Sequence, residues 1–218
     1  MSAPLPSTAL EEVRIGEHGL AALLGVPADA KGLVIFAHGS GSGRLSPRNN
    51  YVAAHLRDDG LATLLLDLLT PEEEHDRRNV FDIALLSTRL HQAVDWAQGH
   101  PRTRTLRPCY FGASTGGGAA LRAAADDPRI AAVVSRGGRP DLAGQAVLPK
   151  VLAPTLLIVG ELDGIVIDLN AAAYDALTCE KDMAIIPGAG HLFEEPGTLE
   201  QVVTLASLWF RHHLGEAR

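Results

Sequence analysis

Short apolar runs rich in Val, Ile and Leu alternate along this chain with longer stretches of helical period. The runs are 33–37 (LVIFA), 62–67 (ATLLLD), 107–111 (RPCYF), 130–135 (IAAVVS), 155–159 (TLLIV) and 183–187 (MAIIP). Each is close to continuously apolar rather than alternating, the pattern of strands buried on both faces. The stretches between them predict helices near 50–59, 80–98, 115–126, 166–177 and 198–213. In the last, Leu199, Val202, Val203, Leu205, Ala206, Trp209 and Phe210 make one apolar face. Near the start, Val13–Ile15 and Leu20–Leu24 flank Gly16-Glu17-His18-Gly19, which predicts a hairpin within an N-terminal segment, residues 1–30. Strand–helix alternation of this kind predicts an α/β fold, a mostly parallel central sheet flanked by helices. No repeat, linker or low-complexity tract divides the sequence, so one domain over 1–218 is expected.

Composition narrows the function classes. The 218 residues are 46% hydrophobic and 21% charged, which suits a globular core. The formal net charge of −7 argues against a nucleic-acid or anionic-membrane surface, while leaving room for a local arginine cluster. Two cysteines, Cys109 and Cys179, do not make a disulfide framework, and Cys109 sits in an apolar run as a core residue. The opening MSAPLPSTALEEV lacks a basic start and a long apolar stretch, and no apolar run approaches the ~18 residues of a membrane span. A cytoplasmic protein is the expectation, with its oligomeric state open.

In folds of this class ligands bind beyond the carboxyl ends of the strands. The sharpest segment there is Gly112-Ala113-Ser114-Thr115-Gly116, a G-x-S-x-G pattern between a strand and a helix. A serine on such a turn lifts its hydroxyl clear of the sheet, and the new helix directs its positive end at the same point. The bland alternative is a turn in which Ser114 caps the helix. A serine nucleophile needs a base, and of nine histidines only His38 and His191 directly follow predicted strands. His191, after Pro187-Gly188-Ala189-Gly190, is the candidate base, and His38 is expected to orient its loop. His91, His212 and His213 read as solvated. For the carboxylate that orients the base, Asp163 lies four residues past the strand at 155–159; Asp168 should already be helical, and Glu161 is a weaker candidate. The order Ser114, Asp163, His191 is that of the α/β-hydrolase triad. No spacing of His, Cys or carboxylates suggests a metal, and no cofactor is expected.

On these residues the chain resembles the α/β-hydrolase superfamily over nearly its whole length. Within it, the strings HGSGSGR, SPRN, YFGASTG, SRGGRPD and GAGHLFEEPG are similar to a bacterial subgroup of the dienelactone hydrolase family. Domains of that subgroup also occur fused to a phosphoribosyltransferase domain, which has no counterpart in this sequence. Dienelactone hydrolase proper is known for a cysteine nucleophile, whereas this elbow carries Ser114. The resemblance therefore implies hydrolysis of carboxylic esters or lactones of small acyl groups through an acyl-enzyme. Acyl transfer, thioester cleavage and a non-catalytic binding role on the same fold stand as alternatives. Fewer than 20 residues separate Ser135 from Thr155, too few for the lid domain found there in larger members, so an open site is expected.

The loop His38-Gly39-Ser40-Gly41-Ser42-Gly43-Arg44 fits neither a P-loop, for want of a lysine, nor the Rossmann glycine spacing. In the hydrolase frame it should supply half of an oxyanion hole, from Ser40 with Gly41 as the alternative, and Thr115 should supply the other half. Arg44, Arg48, Arg136 and Arg139 lie on or near these loops. Arg44, Arg136 and Arg139 are candidate binders of an anionic substrate group. The competing reading pairs the arginines with Asp141, Glu161, Glu194 or Glu195. The acidic stretch 72–76 reads as a solvated loop bordering the entrance.

Overall fold

The computed structural model describes residues 8–215. The strands are β1 (Leu10–Ile15), β2 (Leu20–Gly25), β3 (Leu33–Ala37), β4 (Ala62–Leu66), β5 (Pro108–Ala113), β6 (Val133–Arg136), β7 (Thr155–Gly160) and β8 (Lys181–Ile186). The helices are α1 (Pro47–Asp58), α2 (Pro71–Glu74), α3 (Arg77–Val80), α4 (Ile83–Gly99), α5 (Thr115–Asp126), α6 (Gly164–Ala176) and α7 (Thr198–His213). The strands form one sheet in the order β1-β2-β4-β3-β5-β6-β7-β8. β1 and β2 make the predicted hairpin, with Ile15 opposite Leu20, and β2 runs antiparallel to β4. From β4 to β8 every pairing is parallel. The reading of the first residues as free of a leader falls partly on 1–7, outside the described residues.

Continuous apolar strands make sense in this sheet because successive side chains point to opposite faces and both faces are covered. In β3, Leu33, Ile35 and Ala37 face the core under α4, α5 and α6, while Val34 and Phe36 face the core under α1 and α7. β5 divides likewise, Tyr110 to one side and Cys109 and Phe111 to the other. Burial pushes the Cys109 thiol up to about 12, which suits the inert core residue expected from its apolar run.

The chain leaves β3 for β4 on one side and later returns to place β5 on the other. This reversal opens a crevice beyond the carboxyl ends of β3 and β5, the ligand position in open parallel sheets. The loops leaving these two strands carry His38 and Ser114. Between β6 and β7 the chain makes only two short 3-10 turns, Pro140–Ala143 and Leu148–Lys150, and no lid covers the crevice there.

Several local expectations are corrected. β6 begins at Val133, not at 130, because Ile130 closes a turn onto the Asp127 carbonyl. The run 183–187 predicts a strand covered on both faces, but β8 is an edge strand that starts at Lys181 and leaves Ile185 39% exposed. α4 starts at Ile83 because Asp82 caps it, accepting from the Leu85 amide at 3.0 Å. The stretch 72–76 is largely solvent-exposed, as expected, but it is not a loop. Thr70 and Glu73 form a capping box on α2, Glu73 pairs with buried Arg89 at 2.6 Å, and Asp76 caps α3.

The first turn of α5 carries Gly116-Gly117-Gly118 after Thr115, a poor helix sequence by propensity. Packing overrides propensity: a Cβ on Gly116 would stand 2.1 Å from the Ala37 carbonyl oxygen, and one on Gly112 would stand 2.6 Å from the Gly116 oxygen. Gly116→Ala is therefore expected to lower stability by about 1–3 kcal/mol. Gly99→Ala, at the end of α4 with nothing within 4 Å of the added carbon, should stay within about 0.5 kcal/mol of the parent. Urea midpoints of the two variants test the difference.

Candidate active site

Ser114 sits between β5 and α5 with φ 51 and ψ −122, one of three non-glycine residues with positive φ among the described residues. That conformation is costly for an L-residue and persists only where the surroundings enforce it. Three backbone bonds do so. The Ser114 amide donates to the Arg136 carbonyl at 3.3 Å, and the Ser114 carbonyl accepts from Gly117 at 2.9 Å and Arg139 at 3.0 Å. Ser114 occupies the N-cap position of α5, yet its side chain makes no capping bond. The capping alternative raised by the sequence is thus not what the hydroxyl does.

His191 lies on the loop between β8 and α7. Its Nδ1 is 2.6 Å from Asp163 Oδ2. A carboxylate can only accept, so in the neutral imidazole Nδ1 carries the proton and donates it to Asp163, and Nε2 keeps its lone pair. Asp163 is mostly buried at the start of α6, again without a capping bond, whereas the His191 side chain is 38% exposed. Asp168 lies inside α6 as expected. Glu161 accepts from the Gly188 amide at 2.7 Å and so ties down the loop that presents His191.

The loop after β3 is held at both ends. His38 is buried, with Nδ1 donating to the Gly39 carbonyl at 2.9 Å and Nε2 accepting from the Leu68 amide at 3.0 Å. Burial lowers its pKa, which keeps the ring in this neutral tautomer. At the other end Asp67 takes both the Arg44 amide, at 2.6 Å, and Arg44 Nη1, at 2.5 Å. Within the loop, Gly41 has φ 69. Thr115 is the first residue of α5, where an N–H has no intrahelical acceptor. Neither its amide nor that of Ser40 bonds another backbone carbonyl among the described residues.

Two cavities meet at this loop. The smaller, about 190 Å³, is lined by Ser40, Asn49, Ser114, Arg136, His191 and Leu192 among others. The larger, about 650 Å³, takes in Ser40, Arg44, Asp67, Glu74, Val80 and Thr115. Gly39, Ser40 and Ser42 border both. The acidic stretch does reach the entrance, through Glu74.

The structure separates the four arginines. Arg44 is a strut to Asp67, a partner that the sequence reading did not consider. Arg48 pairs with Glu194 at 2.8 Å, and Arg139 grips Asp141 with two bonds of 2.8 and 2.7 Å. Arg139 borders neither cavity. Arg136, only 7% exposed, has no carboxylate partner among the described residues. Its Nη2 donates to Asn49 Oδ1 at 3.3 Å, and its guanidinium stands 5.8 Å over the Phe193 ring. Burial first, and Arg48 second, bring its pKa down to about 10, so it stays charged at neutral pH.

Asn49 and Asp67 are the site neighbours that the sequence did not single out. Asp67 directly follows β4 on the active edge and was visible in position; Asn49 fell within the SPRN string but was given no role. Two histidines read as solvated are not. His91 Nε2 donates to the Ala123 carbonyl at 3.1 Å, and His213 is largely covered, which lowers its pKa. Glu180, His212 and His213 bring one ligand atom each within 4.8 Å of the others, ahead of β8 and so away from the carboxyl edge. No helix among the described residues is long and apolar enough to cross a membrane.

No family model matches the chain. Two curated chains from Mycobacterium tuberculosis strains, provisionally named phosphoribosyl transferases, are 57% identical to it over 208 residues. Those residues are 94% of this chain and 46% of each relative, so the chain spans about half the length of the curated relatives it matches. Among solved structures, Est1E from Butyrivibrio proteoclasticus shares the fold, with a TM-score of 0.80 at 18% identity over 94% of this chain and 99% of that one. The crystal structure of dienelactone hydrolase from Anabaena variabilis superposes with a TM-score of 0.90 at 56% identity, covering 94% of this chain and 97% of that chain. With that identity spread over nearly the full length of both, the chain belongs to the dienelactone hydrolase family of α/β-hydrolases.

Proposed function

We propose that this protein is a serine hydrolase that cleaves carboxylic esters or lactones of small acyl groups, using Ser114, His191 and Asp163. The observation that carries the reading is a strained serine whose hydroxyl caps nothing, sharing a small cavity with an imidazole oriented by a carboxylate. Ser114 Oγ attacks the ester carbonyl while His191 Nε2 takes its proton. Asp163 keeps the imidazole in the tautomer able to accept and stabilises the cation that forms. The amides of Ser40 and Thr115 donate to the carbonyl oxygen as it becomes negative. The tetrahedral species collapses, His191 returns the proton to the leaving alkoxide, and an acyl-enzyme remains. Water, deprotonated by the same nitrogen, then releases the acid and regenerates Ser114.

The exposed flank of His191 and the missing lid give water a direct route to the acyl-enzyme, which favours hydrolysis over transfer to another acceptor. The curated relatives' name concerns chains about twice as long. We assign any phosphoribosyl chemistry of theirs to the half that this chain does not match.

Ser114→Ala is expected to lower kcat on p-nitrophenyl esters by roughly 10⁴- to 10⁶-fold and to abolish labelling by a fluorophosphonate. Asp163→Asn should cost on the order of 10⁴-fold, since an amide no longer holds the right tautomer. Hydrolysis retained in Ser114→Ala would remove the mechanism. The hole assignment is tested at Gly39, where an added Cβ stands 3.0 Å from Ser114 Cβ and 3.2 Å from the Ala113 oxygen. Gly39→Val should lose about 100-fold or more in kcat with the urea midpoint still measurable. Full turnover in that variant counts against the loop's role.

A further inference from the structure

A second polar cluster lies at the end of the sheet away from Ser114. Glu180 immediately precedes β8, and His212 and His213 end α7. One ligand atom from each of the three lies within 4.8 Å of the other two. His213 is the fixed member. Its side chain is 8% exposed, its ring meets Trp209 edge-on at 4.5 Å, and its carbonyl accepts from Arg107 Nη1 at 3.1 Å. Yet its Nε2 is buried and makes no hydrogen bond among the described residues. Glu180 Oε1 stands 3.9 Å from that nitrogen, beyond hydrogen-bond reach. A buried imidazole nitrogen left without a partner carries an uncompensated desolvation cost. The other two members have room to move: the Glu180 side chain is 61% exposed, and His212 is exposed as well. Two nearby cations are engaged elsewhere, Arg107 with the His213 carbonyl and Lys181 with the carbonyls of Tyr174 and Leu177.

We propose that Glu180, His212 and His213 bind one divalent transition-metal ion of the zinc class, at a site separate from Ser114 and His191. Two imidazoles and one carboxylate suit zinc, whereas magnesium and calcium favour shells of oxygen. Bonds of about 2.0–2.2 Å set tetrahedral ligand atoms roughly 3.4 Å apart, so the cluster has to tighten by no more than about 1.4 Å. Rotation of the exposed Glu180 and His212 side chains supplies that movement, and water takes the fourth position. The ion joins the end of α7 to the start of β8, the two elements that flank the histidine loop. It acts as a clip on the fold and not as a reactant, so the assignment does not depend on Ser114 being the nucleophile. It reverses the expectation that no metal is bound, because a spacing motif cannot reveal a ligand set split between a helix end and the start of a strand.

The test titrates zinc chloride calorimetrically into the untagged, chelator-washed full chain, beside Glu180→Gln, His212→Gln and His213→Gln. The parent should bind zinc with a Kd on the order of micromolar, and each variant should weaken that binding by on the order of 10-fold or more. Zinc at roughly a hundred times the parent's Kd should raise the parent's Tm by about 5–10 °C, and that of the variants by half as much or less. Equal binding in the parent, Glu180→Gln and His212→Gln places the ion elsewhere and overturns the site. Binding in the parent only above about 1 mM zinc, the result if the three residues form no more than a helix-end ion pair, overturns it too. Magnesium chloride at the same concentration should leave Tm unchanged; an equal rise with magnesium marks charge screening and removes the coordination. Should His213→Gln fail to fold, Glu180→Gln and His212→Gln, both on exposed side chains, decide the matter alone.

Discussion

The backbone of Ser114 is the constraint on which the rest of this site depends. A residue at φ 51 and ψ −122 stores strain of about 1–3 kcal/mol, which the fold must offset nearby. It does so by closeness. β5 and β3 lie side by side, and α5 enters so near the end of β3 that Gly116 nearly touches the Ala37 carbonyl. The loop after β6 is bonded to the turn from the other side, through the Arg136 carbonyl and the Arg139 amide. A looser turn would let the serine relax into an ordinary cap, and its hydroxyl would then serve the helix instead of the crevice.

The same closeness sets the order of the other parts. With α5 pressed on the end of β3, the next residues of that strand, His38 and Gly39, must pass beside Ser114. The glycine-rich loop therefore cannot wander, and its two anchors have opposite electrostatic character. His38 is buried and neutral, fixed by one donated and one accepted bond. Arg44 and Asp67 form a charged clasp that remains partly open to solvent. Between these anchors the Ser40 amide is left without a backbone acceptor among the described residues. On the proposed mechanism, a loop of alternating glycine and serine without a P-loop lysine serves a charge that appears in the reaction and is not a cradle for a standing phosphate.

Much of this was legible in the residues because it depends on local rules. Buried parallel strands must be apolar throughout, so β3, β4, β5 and β7 stand out as runs; α5 and α7 follow from their period and from what precedes them. The elbow glycines, and a histidine and an aspartate placed just after strands, follow from the rule that such sheets work at their carboxyl ends. What was not legible is tertiary. An apolar run does not say whether it will be covered, and so β8 read as buried on both faces although it is a partly exposed edge strand. Two four-residue helices, α2 and α3, are too short to show a period, and their charges read as a solvated loop. The pairing of Arg44 with Asp67 spans 23 positions and that of Arg136 with Asn49 spans 87, and no local pattern links residues so far apart.

The fate of the arginines shows why residue type alone could not settle their role. All four near the site are alike in sequence, and each could have been a clamp or a strut. What distinguishes them is whether a carboxylate lies within reach, and the topology decides that. Asp141 follows Arg139 by two residues on one turn, Glu194 lies on the histidine loop beside α1, and Asp67 directly follows β4, next to β3. Arg136 ends β6 between β5 and β7, and no carboxylate pairs with it among the described residues. The chain as a whole is acidic, at −7, yet charges on its outer surface are screened within about 8 Å at physiological ionic strength. Inside the cavity the unmatched guanidinium is the dominant charge, and it is positive.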